Sequence, residues 1–160
     1  MSDSLQTQAR TVIAHGMMVL FVGLVAGVML VFSLLDAVAL WPFPAIAAEI
    51  PGSTRGWQAA HVGGIVNGVM MAAIGMLMTY LNLEGPTRRW TYIGAIIMGW
   101  GNTVFYWAGN LAPNRGLSAG DTPYGPGDLA GVLAYLGGGT AMIVTFVFVF
   151  LLARAALKRI

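Results

Sequence analysis

Four stretches of this chain, residues 17–35, 62–81, 90–111 and 129–153, each run for 19 to 25 residues without a charged side chain. A helix rises about 1.5 Å per residue, so about 20 apolar residues cover the roughly 30 Å of a bilayer's hydrocarbon. With no water to satisfy it, the backbone there must bond to itself, and single uncharged runs of this length do so as helices. Only 9% of residues are charged and 58% are hydrophobic, against about 25% charged in a soluble domain. The expectation is an all-α integral membrane protein, a bundle of four transmembrane helices in lipid. It forms a single domain over residues 1–160, with spans at about 12–40, 57–82, 90–111 and 128–157. No internal repeat or soluble domain interrupts it.

The same sequence excludes several classes of function. A formal charge of +2 is too small to hold nucleic acid. The absence of cysteine removes disulfides, thiolate catalysis, iron–sulfur clusters, thiolate-ligated haem and covalently attached haem. Ala45–Ala48 has the small-residue look of a signal-cleavage site, but the preceding apolar run is too long and its start too poor in positive charge.

The connections are short. Residues 1–10 read as a polar, frayed end, 41–55 as a proline-broken link at the membrane edge, 83–89 as a tight polar turn, and 112–128 as a shaped loop rich in Gly and Pro. Four spans place both termini on one side. Arg10, Arg88, Arg89, Arg154, Lys158 and Arg159 lie there, against Arg55 and Arg115 opposite, so the termini are assigned to the cytoplasm. Gly23 and Gly27 form a GxxxG pair for close packing of the first helix on a neighbour.

The polar residues inside the spans carry the functional question. At about 100° per residue, His61, Gly64 and Gly68 share one face of the second helix, a smooth trough beside an imidazole where something flat can lie. Asn67 points roughly 120° away. Asn102 and Tyr106 share a face of the antiparallel third helix, Tyr106 at the depth of His61 and Asn102 at that of Asn67. Unpaired, such groups in hydrocarbon cost several kcal/mol each, so they meet partners. Those partners are other helices, as packing glue, or a ligand. His15 lies near the inner end of the first helix, most of a membrane thickness from His61, and is a poor second ligand for the same metal. Two such histidines and no cysteine do not make a zinc site. A b-type haem fits, since one axial histidine leaves the sixth position open.

Residues 51–68 (PGSTRGWQAAHVGGIVNG) and 99–117 (GWGNTVFYWAGNLAPNRGL), with YGPGD at 124–128, resemble the styrene oxide isomerases. The resemblance implies a homotrimer in the bacterial inner membrane, with haem b between subunits. Its axial ligand falls on His61, and its substrate-contacting asparagine and tyrosine on Asn67 and Tyr106. The implied reaction is isomerisation of an aryl epoxide to an arylacetaldehyde: ferric iron acts as Lewis acid, the benzylic C–O bond opens and a hydride shifts. An upstream monooxygenase would supply the epoxide. On this reading Asn102 joins the catalytic group, Gly64 and Gly68 flank the haem, and Arg55 and Arg115 are partners for its propionates. Two other readings stay open: a b-type haem protein for electron transfer or gas binding, and a cofactor-free membrane subunit in which His61, Asn67 and Asn102 only hold helices together.

Overall fold

A computed structural model describes residues 3–158 of the chain. The order is α1 (Asp3–Leu35), β1 (Ala37–Val38), β2 (Ile46–Ala47), α2 (Thr54–Tyr80), α3 (Gly85–Leu111) and α4 (Leu129–Leu157). The first two residues of the expected frayed end, and Arg159 of the basic cluster, lie outside the described residues.

Helix α1 begins well before its apolar run. Residues 3–10, expected to fray, form its first turns, because Leu5 and Ala9 continue a buried stripe through Val12, Gly16, Val19 and Gly23. The spacing of four and three residues is that of one helix face. The helix stops at Leu35, short of the expected residue 40, where Asp36 takes a left-handed φ of 47°. The chain then pairs Ala37 with Ala47 and Val38 with Ile46 in a short antiparallel hairpin.

Ser53 caps α2, its hydroxyl accepting from the Gly56 N–H at 3.0 Å. Such a cap satisfies one of the donors that every helix start leaves free. The α2–α3 turn is tighter than expected. Leu83 N–H donates to Met78 O at 3.0 Å, Asn82 adopts φ 42°, and α3 starts at Gly85 instead of residue 90. Pro86 does not prevent this, since the first turn needs no N–H from it. Asp128 caps α4 by accepting from Gly131 N–H at 2.7 Å, and α4 keeps its expected limits.

Glycines set how closely the helices approach. A Cβ added to Gly64 would lie 2.5 Å from the Gly23 Cα, and one on Gly68 would lie 2.7 Å from Gly16 O. Across the α3–α4 seam, a Cβ on Gly101 would meet Gly137 O at 2.7 Å. Backbones this close gain dispersion contacts that larger side chains would hold apart. Helices α1, α2 and α3 pack on one another, whereas the α4 backbone lies against α3 alone. Phe148 and Leu152 carry α4 into the common core around Val12, Met71, Met78 and Met98. The expected four-helix bundle is therefore a three-helix core flanked by a fourth helix.

Three helices, α1, α2 and α4, are long and apolar enough to cross a membrane. Helix α3 matches α2 in length, at 27 residues, but is diluted by Arg88, Arg89, Asn102 and its tryptophans and tyrosines. The outward faces of α1 (Phe21, Leu24, Val28, Leu34) and α4 (Leu136, Ile143, Phe146, Phe150) are exposed. Apolar surface on this scale calls for an apolar environment.

Candidate functional site

His61 projects from α2 towards α1. Its Nδ1 lies 2.9 Å from Gly23 O. A carbonyl can only accept, so Nδ1 carries the proton and the lone pair resides on Nε2. Nε2 makes no hydrogen bond to any described residue. Gly27 completes the seat: a Cβ there would stand 2.6 Å from His61 Nδ1 and 2.7 Å from Cε1. Thus the Gly23/Gly27 pair brings α1 close and also holds the imidazole. A ring oriented by an Nδ1–H···O=C bond with Nε2 unengaged is the arrangement metal-binding histidines use.

The trough expected beside His61 is not open. Gly64 and Gly68 are buried beneath α1, against Gly23, Gly16 and Leu20. They let two helices touch and present no face to a flat ligand. Val62, Val66 and Val69, about a quarter-turn round α2 from His61, form an exposed apolar ridge.

Asn67, Asn102 and Tyr106 do come together, on the α2–α3 seam. Asn67 is 5% exposed. Its Nδ2 donates to Gly63 O at 2.7 Å, and its Oδ1 accepts from Asn102 Nδ2 at 3.0 Å. The Tyr106 ring covers Gly63, where a Cβ would overlap the ring edge. The Tyr106 hydroxyl has no hydrogen-bond partner among the described residues. His61, two residues from Gly63 and so about 200° around the helix, faces away from this group. Three of the four polar side chains expected in one layer share a seam, and the fourth is turned to another.

Beyond Tyr106, at the start of α2 and the end of α3, lies a cavity of about 650 Å³. Arg55 and Arg115 line it, and Asp and Glu do not. It owes its shape to two asparagines that no spacing in the sequence singles out. Asn110 Oδ1 accepts from Ser53 N–H at 2.8 Å and Ser53 Oγ at 3.1 Å, tying the end of α3 to the start of α2. Gly52 and Gly56 are glycines because Asn110 occupies the space of any Cβ there. The Asn110 Nδ2 is buried without a partner among the described residues. Asn114, fully buried, anchors the following loop: Nδ2 donates to Ser118 O at 3.0 Å and Gly120 O at 2.8 Å, and Oδ1 accepts from Gly116 N–H at 2.9 Å. Two glycines flanking a cap serine were the visible hint of an incoming side chain.

His15 also has a partner that went unforeseen: Trp100 Nε1 donates to its Nδ1 at 3.0 Å. His15 sits eight residues from Gly23, about 12 Å of helix rise, so it is nearer His61 than expected. The early start of α1 is the reason, since His15 is three turns inside the helix. The separation still exceeds by far the roughly 2 Å bonds that two ligands of one metal need.

The residues present suit a haem ligated through one histidine, with an oriented imidazole, a free Nε2 and an apolar ridge beside it. Among the described residues no cluster of three His, Cys, Asp or Glu side chains exists that would hold a bare metal ion. Residues 8–157 match the family model described as styrene oxide isomerase. The chain is also 35% identical over 139 residues to a styrene-oxide isomerase from Pseudomonas fluorescens, covering 83% of this chain and 81% of that protein.

Proposed function

The chain belongs to the styrene oxide isomerase family, and from that premise we propose that it isomerises aryl epoxides to arylacetaldehydes inside a membrane, with haem b held by His61. The observation that carries the cofactor assignment is the His61 ring, its proton committed to Gly23 O at 2.9 Å and its Nε2 left free. Ferric haem bound there would supply a Lewis acid for an epoxide oxygen.

The chain's own residues do the rest. Tyr106 offers an uncommitted hydroxyl that donates to the oxygen as negative charge builds on it. Asn67 keeps one N–H and one lone pair beyond its bonds to Asn102 and Gly63, so Asn102 orients Asn67 and Asn67 contacts the substrate. Asn67 is buried, and water kept from this seam cannot trap the benzylic cation as a diol. Bond opening at the benzylic carbon and a 1,2-hydride shift leave oxidation state and atom count unchanged. Arg55 and Arg115 on the cavity wall would partner the haem propionates.

Because His61 and Tyr106 face different sides of α2, a ligand held by His61 reaches other groups across a neighbouring copy, in keeping with a homotrimer. We assign α3 as a fourth span, since it lies antiparallel between α2 and α4, with both termini cytoplasmic in a bacterial inner membrane. The epoxide is the product of an alkene-oxygenating enzyme, a monooxygenase.

The test is an absorbance spectrum of the detergent-purified protein before and after styrene oxide, with product analysis. A Soret band that shifts on addition, and phenylacetaldehyde as product, are expected. A protein still colourless after hemin is supplied overturns the cofactor assignment. A haem protein that cycles with reductant but leaves the epoxide intact supports electron transfer or gas binding instead.

A further inference from the structure

The loop over residues 112–128 closes the outer cavity with one side chain from each of its limbs. Arg115 comes from the first limb and Tyr124 from the second, the guanidinium carbon 4.3 Å from the Tyr124 ring centroid. A cation over an aromatic face at this distance is an attractive pair. Neither limb is loosely placed. Arg115 is held at φ 59° by the turn that Asn114 bonds together. Tyr124 sits between Thr122 and Gly125, whose backbones exchange hydrogen bonds of 2.9 and 3.1 Å. Its own N–H donates to Thr122 Oγ1 at 3.2 Å. Gly125 rests flush on Pro113, where a Cβ would lie 2.9 Å from Pro113 O.

Phe105 and Tyr106 line the same cavity as Tyr124, together with the small residues Gly52, Gly56, Ala59 and Gly109. The space is therefore a slot with three aromatic rings in its wall, its sides completed by Arg55, Asn110 and Leu117. A flat aryl group fits such a slot, stacking on the rings while its polar end meets Tyr106. Tyr106 lies five residues inside the end of α3, about 7 Å of rise, and Tyr124 belongs to the loop beyond that end. The two phenols mark the inner and outer limits of the slot.

We infer that this slot holds the aryl group of the epoxide and that Tyr124, buttressed by Arg115, limits how far a ring substituent can extend. The inference rests on the isomerase reading, with Tyr106 at the epoxide oxygen. Tyr124 is a specificity-determining side chain and takes no part in bond breaking.

Purified wild type, Tyr124→Ala, Tyr124→Trp and Tyr124→Phe would be assayed with styrene oxide and with its para-phenyl derivative. Tyr124→Ala should raise kcat/KM for the para-phenyl epoxide relative to styrene oxide by about tenfold, the scale of a pocket that gains room for added apolar bulk. Tyr124→Trp should lower that ratio. Tyr124→Phe keeps the ring and should keep the wild-type ratio, which also shows that the loop folds without the hydroxyl. A ratio that does not move in the Ala and Trp variants, with wild type active, overturns the inference alone. A wild type inactive on both epoxides overturns the isomerase reading, and the inference with it.

Discussion

At His61 a single backbone bond decides the chemistry, because the carbonyl of Gly23 fixes which nitrogen is free. Removing the ring in His61→Ala should abolish haem binding and turnover together, and retained isomerase activity would reject the ligand assignment. Gly27→Ala is the sharper probe. The new methyl would stand 2.6 Å from Nδ1, and a side chain yields more readily than a helix, so the ring should tilt while the fold survives. Hemin titration should then show weakened affinity with unchanged helical circular dichroism. Tyr106→Phe should keep the Soret band and lower kcat by about 10²-fold, the effect of losing one donor to a developing oxyanion. Unchanged kinetics would take Tyr106 out of the mechanism. Spacing alone placed Asn67 opposite Asn102, because two antiparallel helices leave few registers. It did not reveal that His61 turns to α1, since a one-helix wheel says nothing of where the neighbours stand.

The α1–α2 seam shows the same limit among whole helices. The spacing of His61, Gly64 and Gly68 suits a trough for a ligand, but another helix fills it just as well, and Gly16 and Gly23 on α1 are its counterpart. Gly64→Leu would drive a side chain into the Gly23 backbone, which cannot yield without separating the helices. We expect a loss of about 1–3 kcal/mol or more, as for overpacked cores, seen as a lower Tm in detergent. An unchanged Tm would mean that the helices are not packed at this point. Helix limits were legible where a cap or a charge marks them, as at Asp128. They were missed where polar residues ride on a buried stripe, as at Leu5 and Ala9, or where Pro86 occupies a first turn that tolerates it. Asn110 and Asn114 escaped notice because their partners lie far along the chain or in backbone turns that no spacing rule describes.

For the molecule as a whole, the open point of topology is α3. It touches each of the other three helices, so its Asn67-paired Asn102 and its Tyr106 meet protein, while Trp90 stays half exposed near its start. That explains how a helix below the apolarity of its neighbours can still cross, and the positive charges at Arg88 and Arg89 fit a cytoplasmic start. The chain has no cysteine, which permits a clean test with single substitutions. Thr87→Cys lies at the start of α3 and Ala119→Cys in the loop beyond its end. In intact spheroplasts, a membrane-impermeant maleimide should label Ala119→Cys at once and Thr87→Cys only after permeabilisation. The reverse pattern would keep four spans and invert the orientation. Equal labelling of both would mean that α3 does not cross. The Asn67–Asn102 pair and the Tyr106 hydroxyl would then lie on a helix that returns to the same face, and a buried, water-free site for epoxide opening would lose its physical basis.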